Sequence, residues 1–121
     1  MEKEMTLNDY QRGALETAMY PKEYKTIYPA LGLNGEAGEV ADKVKKVLRD
    51  SEIIVRDSRG AIVLPDSKRE ELAKEVGDVL WYVATMAYDL GYTLEEIARM
   101  NYQKLKSRQE RNKLGGNGDN R

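Results

Sequence analysis

The chain of 121 residues contains no cysteine and no histidine. These two absences exclude thiolate nucleophiles, zinc-finger sites, histidine general bases and di-iron bundles built on Glu-x-x-His. Any metal must therefore bind to oxygen ligands. Carboxylate oxygens suit Mg²⁺, or Mn²⁺ in its place, better than softer metals, and Mg²⁺ commonly binds a few carboxylates together with phosphate groups.

The chain also lacks a long apolar run and an excess of charge. There is no run of about 18 apolar residues, and the N-terminal Met-Glu-Lys-Glu does not resemble a signal peptide. The 20 basic and 21 acidic side chains give a net charge of −1, so no broad basic field is available for nucleic acid. We expect a cytoplasmic protein without membrane or nucleic-acid partners, and the length favours one domain over residues 1–121.

Apolar residues recur at helical spacing in four segments. The first begins at an N-cap, Thr6, and ends before Pro21, and Pro29 lies in the first turn of the second. The third ends at Gly91. Capping boxes are predicted at the starts of the third and fourth helices, pairing Ser67 with Glu70 and Thr93 with Glu96. The sequence thus predicts an all-α fold, an antiparallel helical bundle of about four main helices.

Two segments depart from the helical pattern. Between the second and third helices, residues 51–66 contain two β-branched runs around a polar turn, which predicts a short β-hairpin. After the fourth helix, residues 115–121 are rich in glycine and asparagine. We expect this end to be a flexible tail unless a partner or ligand orders it.

A short acidic motif occurs twice. Residues 36–39 read Glu-Ala-Gly-Glu, and residues 75–78 read Glu-Val-Gly-Asp. Acids three residues apart share a helix face, and a glycine inside a helix costs about 1 kcal/mol relative to alanine, so each glycine suggests close approach by another group. Four carboxylates brought together by two helices would repel one another, which favours a divalent metal site. The predicted metal ligands are Glu36, Glu39, Glu75 and Asp78.

An alternative is that these acids lie on solvated helix surfaces. Nearby lysines would then pair with them for a few tenths of a kcal/mol, without any metal. These lysines are Lys43, Lys45, Lys46 and Lys74.

The fourth helix carries a polar line where its apolar stripe should continue. Asn101 begins this line, and Lys104 and Arg108 follow on the same face. We interpret it as a nucleotide contact, with the two cations on phosphate oxygens and the amide on sugar or base. The alternative is a basic helix end favoured by the helix dipole.

Residues of the first and third helices are further candidates for contact with a base. Gln11 is a base-reading hypothesis, with a polar residue at a helix boundary as the alternative. Trp81 and Tyr82 favour core or interface packing, with stacking on a base as the alternative.

Residues 32–46 and 74–82 resemble the MazG-type all-α nucleoside triphosphate pyrophosphohydrolases, and the resemblance extends from Leu7 to Arg108. It implies a helical bundle that assembles as a homo-oligomer, a dimer or tetramer, and hydrolyses (deoxy)nucleoside triphosphates to monophosphate and pyrophosphate with Mg²⁺. The family's Glu-x-x-Glu falls on Glu36 and Glu39, and its Glu-x-x-Asp on Glu75 and Asp78, all as metal ligands.

The chain departs from the family pattern in two ways. Glu39 and Glu75 are 36 positions apart, which is longer than usual, and the expected hairpin accounts for the excess. The hairpin leaves the metal site intact but could reshape the nucleotide pocket or subunit interface. Some members carry a further Glu where this chain has Gly35, so analogy does not identify the general base. Our hypothesis is that Glu39 or Glu36 orients the attacking water.

The resulting hypothesis is Mg²⁺-dependent attack of water on the α-phosphorus of a nucleoside triphosphate, with pyrophosphate as the leaving group. One alternative keeps the fold but changes the substrate to phosphoribosyl-ATP or to dUTP alone. Another is a non-catalytic helical interaction module, in which the acids are merely surface residues. The first would be separated by a panel of substrates, and the second by the absence of any effect of Mg²⁺.

Overall fold

The computed structural model describes residues 3–50, 55–112 and 115–119. These residues form four α-helices, a short 3₁₀ turn at Lys22–Tyr24 and one two-stranded sheet. The predicted all-α fold with a small hairpin is confirmed. The elements are α1 Leu7–Glu16, α2 Ile27–Asp50, β1 Val55–Arg56, β2 Ile62–Val63, α3 Asp66–Asp89 and α4 Leu94–Glu110.

Two helices begin with the side-chain caps that the sequence predicts. Thr6 Oγ1 accepts the backbone N–H of Asp9 at 3.0 Å, and the Asp9 carboxylate accepts the N–H of Thr6 in return at 3.1 Å. The same reciprocal pair joins Thr93 and Glu96 at the start of α4. Each capping box satisfies two backbone donors that a helix end leaves without a partner.

The end of α3 also follows the prediction. Gly91 has φ of +88°, a conformation that glycine adopts without a side-chain clash. Its N–H donates to the carbonyl of Tyr88, and the N–H of Tyr92 donates to that of Ala87, both at 2.9 Å. These two bonds form a Schellman motif, which satisfies carbonyls at the end of the helix.

The predicted start of α3 is wrong. α3 begins at Asp66 after Pro65 without a side-chain cap, so Ser67 lies inside the first turn and does not form the predicted capping box with Glu70. The carbonyl of Pro65 accepts the first helical N–H groups instead. α2 begins at Ile27, so Pro29 lies in its first turn as predicted, where proline is tolerated because the N–H groups of that turn have no helical partner.

The two longest helices, α2 and α3, pack side by side in opposite directions. Gly32 near the start of α2 lies against Tyr82 near the end of α3, while Lys43 lies near Glu75. α1 packs on α3 and α4. A small core of Ala14, Ala84 and Leu94 forms where these three helices meet.

The hairpin connects α2 to α3. Val55 pairs with Val63, and Arg56 pairs with Ile62, in antiparallel register. Asp57 holds the turn, because its carboxylate accepts the N–H of Arg59 at 2.8 Å and that of Ala61 at 3.0 Å. The first part of the predicted hairpin, residues 51–54, lies outside the described residues.

Within the described ranges, the helices do not combine the length and apolar character required to cross a membrane.

Candidate metal centre and nucleotide site

Three acids from the doubled motif lie together between α2 and α3. Glu36 comes from α2, and Glu75 and Asp78 come from α3, one turn apart. One carboxylate oxygen of each lies within 4.8 Å of the other two. Two oxygens bound to one Mg²⁺ are at most about 4.2 Å apart, since Mg–O distances are 2.0–2.1 Å. Small rotations of these side chains would therefore complete a metal site.

The charges of this cluster are incompletely compensated. Partial burial raises the pKa of Glu36, and the charges of Asp78, Glu75 and Glu39 raise it further. Lys43 Nζ lies 3.6 Å from Glu75 Oε1 and supplies one positive charge. Converging carboxylates in a partly desolvated cleft suit a divalent cation, because the cation replaces repulsion with attraction.

Glu39 lies beside this cluster and does not belong to the group of three. Its side chain is exposed, one turn after Glu36 on α2. It is close enough for its charge to contribute to the raised pKa of Glu36. The structure thus brings three of the four predicted ligands together and places the fourth at their edge.

An aromatic recess opens next to the acids. It measures about 400 Å³, and its lining joins Glu36 and Asp78 to Thr17, Trp81 and Tyr82. Trp81 Nε1 donates to Thr17 Oγ1 at 2.8 Å, which fixes the indole between α1 and α3. The recess offers aromatic surface within the same small volume as the carboxylates. Sequence reasoning missed Thr17, because nothing in its local pattern distinguishes it.

Tyr82 forms the other wall of the recess. Its ring meets Trp81 edge to face, with centroids 4.9 Å apart, and lies 6.4 Å from the ring of Tyr28. Burial raises the pKa of Tyr82, with smaller contributions from Tyr28 and from the nearby acids. The predicted packing role of Trp81 and Tyr82 and their place beside the acids are therefore compatible.

Within the described residues of one chain, no group closely approaches the glycines of the doubled motif. A side chain at Gly38 or Gly77 would meet no described atom within 4 Å beyond its own helix. The close approach occurs instead at Gly32, where an added Cβ would overlap three atoms of the Tyr82 ring. Gly32 thus shapes the recess by letting Tyr82 lie directly on α2.

Gln11 is buried, and its side-chain amide makes hydrogen bonds within the fold. It is only 5% exposed, and its Nε2 donates to the carbonyls of Ala84 and Tyr92, both at 3.1 Å. Its Oε1 accepts the N–H of Leu94 at 3.1 Å. These bonds use both sides of the amide and join α1 to the α3–α4 turn. These contacts favour the alternative role of Gln11 as a structural polar residue over a nucleotide contact.

The cations of α4 contact the C-terminal segment of the chain. Lys104 Nζ donates to Asp119 Oδ1 at 3.1 Å. Arg108 is 4% exposed, and its Nη2 donates to the carbonyls of Gly118 and Asp119 at 3.3 and 2.6 Å. Asn101 is exposed on the same helix. The expected flexible tail is therefore docked over residues 115–119, while residues 113–114 and 120–121 lie outside the described residues.

The chain matches the model of the MazG nucleotide pyrophosphohydrolase domain over residues 24–112. This match covers well over half of the chain, so the protein belongs to the MazG nucleotide pyrophosphohydrolase family. Its similarity to the Gene 37 protein of Mycobacterium phage L5 is 40% identity over 123 aligned positions, which cover 97% of this chain and 100% of the phage protein. No solved structure matches the chain significantly.

Proposed function

We propose that the protein hydrolyses (deoxy)nucleoside triphosphates to the monophosphate and pyrophosphate. The observation that carries this proposal is the convergence of Glu36, Glu75 and Asp78 within 4.8 Å in a chain of this family. These residues would hold Mg²⁺, or Mn²⁺ in its place. The metal would supply neutralisation of the triphosphate charge and polarisation of the phosphorus centre.

An acid at the cluster would accept the proton of the attacking water. Glu39, an exposed acid one turn after Glu36, would accept a proton from the attacking water, with Glu36 as the alternative base. A bond forms between the water oxygen and the α-phosphorus, the bond from that phosphorus to the bridging oxygen of pyrophosphate breaks, and the water proton passes to the carboxylate. Holding water and phosphate in this arrangement lowers the entropic part of the barrier.

The recess of Thr17, Trp81 and Tyr82 would receive the nucleoside. Aromatic surface suits a base, since stacking contributes about 1–3 kcal/mol per base with little dependence on its identity. The recess adjoins the acids, so a nucleoside there would place its triphosphate toward the proposed metal. Lys104 and Arg108 remain our proposed contacts for phosphate oxygens, and Asn101 for sugar or base.

We also propose that the protein is a homo-oligomer. Each of α2 and α3 exposes a pair of apolar residues four positions apart, so that each pair lies on one face of its helix. The pairs are Ile27 and Leu31 on α2, and Val76 and Leu80 on α3. Leu31 is 71% exposed, while the buried apolar core of the described residues is small. A second copy covering these stripes would remove apolar surface from water. Light scattering after size exclusion should give a mass of at least twice 13.8 kDa.

The test of the activity is pyrophosphate release with Mg²⁺ and with EDTA, across the four dNTPs, the four NTPs, dUTP and phosphoribosyl-ATP. We expect metal-dependent release from at least one triphosphate. Asp78→Asn and Glu39→Gln should each lower kcat by at least about 100-fold without unfolding the protein. Glu23→Gln, an exposed acid in the 3₁₀ turn, is the matched control and should retain full activity.

Other outcomes would favour other functions. Release from dUTP or phosphoribosyl-ATP alone would narrow the substrate while keeping the chemistry. Full activity in both Asp78→Asn and Glu39→Gln would contradict the proposed site. No pyrophosphate release from any compound of the panel, together with no stabilisation by Mg²⁺, would favour the non-catalytic helical module.

A further inference from the structure

The C-terminal segment occupies the cationic face of α4. Asp119 supplies both a carboxylate, which meets Lys104 at 3.1 Å and Arg108 at 3.5 Å, and a backbone carbonyl, which meets Arg108 at 2.6 Å. Gly118 adds a second carbonyl to Arg108 at 3.3 Å. One residue thus offers three acceptor contacts to two cations, as an anion such as a phosphate group would.

The segment satisfies Arg108 incompletely. Arg108 donates to the carbonyls of Gly118 and Asp119 through Nη2, while its Nε is buried and has no hydrogen-bond partner in the described residues. The Nε and Nη2 edge of arginine is a fork that fits two oxygens of one carboxylate or phosphate. A phosphate group at this position would engage both nitrogens, where the segment engages one.

The segment is also held lightly. The Asp119 side chain is 83% exposed, so its ion pairs are screened by solvent. Gly116 and Gly118 have φ of +96° and +85°, which makes the docked conformation dependent on glycine. Glycine also raises the conformational entropy that the segment regains on release. These features favour exchange between docked and released states.

We infer that residues 115–119 act as an internal competitor for phosphate, with Asp119 occupying an anion site on Lys104 and Arg108 that a nucleotide phosphate takes when the segment leaves. This inference rests on the proposed function for its natural ligand, but the anion site itself is testable without any nucleotide. The apparent association constant of the site for phosphate equals its intrinsic value multiplied by the fraction of molecules in which the segment is released. Docking therefore lowers the apparent affinity.

The test is calorimetric titration with inorganic tripolyphosphate in EDTA, which excludes metal-dependent binding at the acids. Asp119→Asn removes the competing charge, and Gly118→Ala strains the docked backbone. Both should bind tripolyphosphate about three- to tenfold more tightly than the wild-type chain. Two controls should match the wild type: Glu110→Gln removes a charge from α4, and Gly115→Ala alters a glycine whose φ is not positive.

Each remaining outcome overturns the inference. Unchanged or weaker affinity in Asp119→Asn and Gly118→Ala would mean that the segment does not compete. An equal gain in Glu110→Gln would mean a general charge effect, and the absence of binding in every variant would mean that no anion site exists. Lys104→Gln introduced into Asp119→Asn should reverse the gain.

The two proposals fail in different assays. If Asp119→Asn binds tripolyphosphate more tightly but no nucleotide releases pyrophosphate, the anion site holds and the proposed hydrolysis fails. If pyrophosphate is released and the tripolyphosphate affinities are equal, the hydrolysis holds and the competitor is rejected.

Discussion

Gly32→Ala tests whether the absence of a side chain at position 32 allows Tyr82 to form a wall of the recess. A methyl group at this position would overlap the ring of Tyr82, with even the farthest of three ring atoms only 2.6 Å away. Ordinary contact begins at 3.4 Å, so the ring must withdraw by about 1 Å or leave its place. Either movement disturbs the packing of Tyr82 against Trp81 and opens the recess beside the acids.

The cost of this clash in the free energy of unfolding is best obtained as the difference between two variants of α2. Alanine in place of a helical glycine gains about 1 kcal/mol through helix propensity, whatever surrounds it. Overpacking a contact costs about 1–3 kcal/mol. Gly35 lies in the same helix with no described atom within 4 Å of an added Cβ, so Gly35→Ala experiences only the gain. We expect Gly32→Ala to be less stable than Gly35→Ala by about 1–3 kcal/mol.

Urea unfolding followed by helical circular dichroism would measure this difference. Tyr82→Leu should relieve the clash, so the penalty of Gly32→Ala should shrink in the double variant, as a double-mutant cycle shows directly. Equal stability of Gly32→Ala and Gly35→Ala would refute the reasoning, because it would mean that the Tyr82 ring moves away without cost.

Three further predictions concern the metal, the recess and the linker between α1 and α2. Mg²⁺ should raise the unfolding temperature of the wild-type chain and not that of Asp78→Asn, measured by thermal scans with and without EDTA. Trp81→Phe loses the bond to Thr17 and should raise KM more than it lowers kcat, in steady-state kinetics of the active triphosphate. Burial and the bond to Asp89 raise the pKa of Tyr20 to about 12 from 10.0, so its stabilisation is complete below pH 10 and is lost as pH rises toward 12. The stability difference between wild type and Tyr20→Phe, from urea unfolding, should therefore be about 1.5–3 kcal/mol at pH 8, as for a hydrogen bond to a charged group, and shrink above pH 10.

Local signals predicted the helices and several of their ends well. The boxes at Thr6 and Thr93 and the glycine end at Gly91 depend on a few neighbouring residues, which the sequence shows directly. Ser67 failed because Pro65 already sets the backbone for helix entry two residues earlier. The choice between two helix starts so close together depends on small energies that the pattern does not resolve.

Contacts between distant segments were harder to predict. The doubled motif indicated that two helices share an acidic face, but not that Glu39 stands outside the closest group. Gln11 and Arg108 looked like ligand contacts because polar residues interrupted apolar stripes. The structure shows that such residues also bind backbone, in Gln11 at α3 and the α3–α4 turn and in Arg108 at the C-terminal segment. A one-dimensional pattern does not distinguish these partners.

The position of the hairpin explains why a longer connection is compatible with the acidic cluster. Glu36 lies 14 residues before the end of α2, and Asp78 lies 12 residues after the start of α3. At 1.5 Å per residue, both acids are roughly 20 Å from the hairpin along their helices. The insertion therefore lengthens one end of the α2–α3 pair without altering the register that brings the acids together. In the proposed homo-oligomer, any influence of the hairpin on the nucleotide would come through a second copy of the chain.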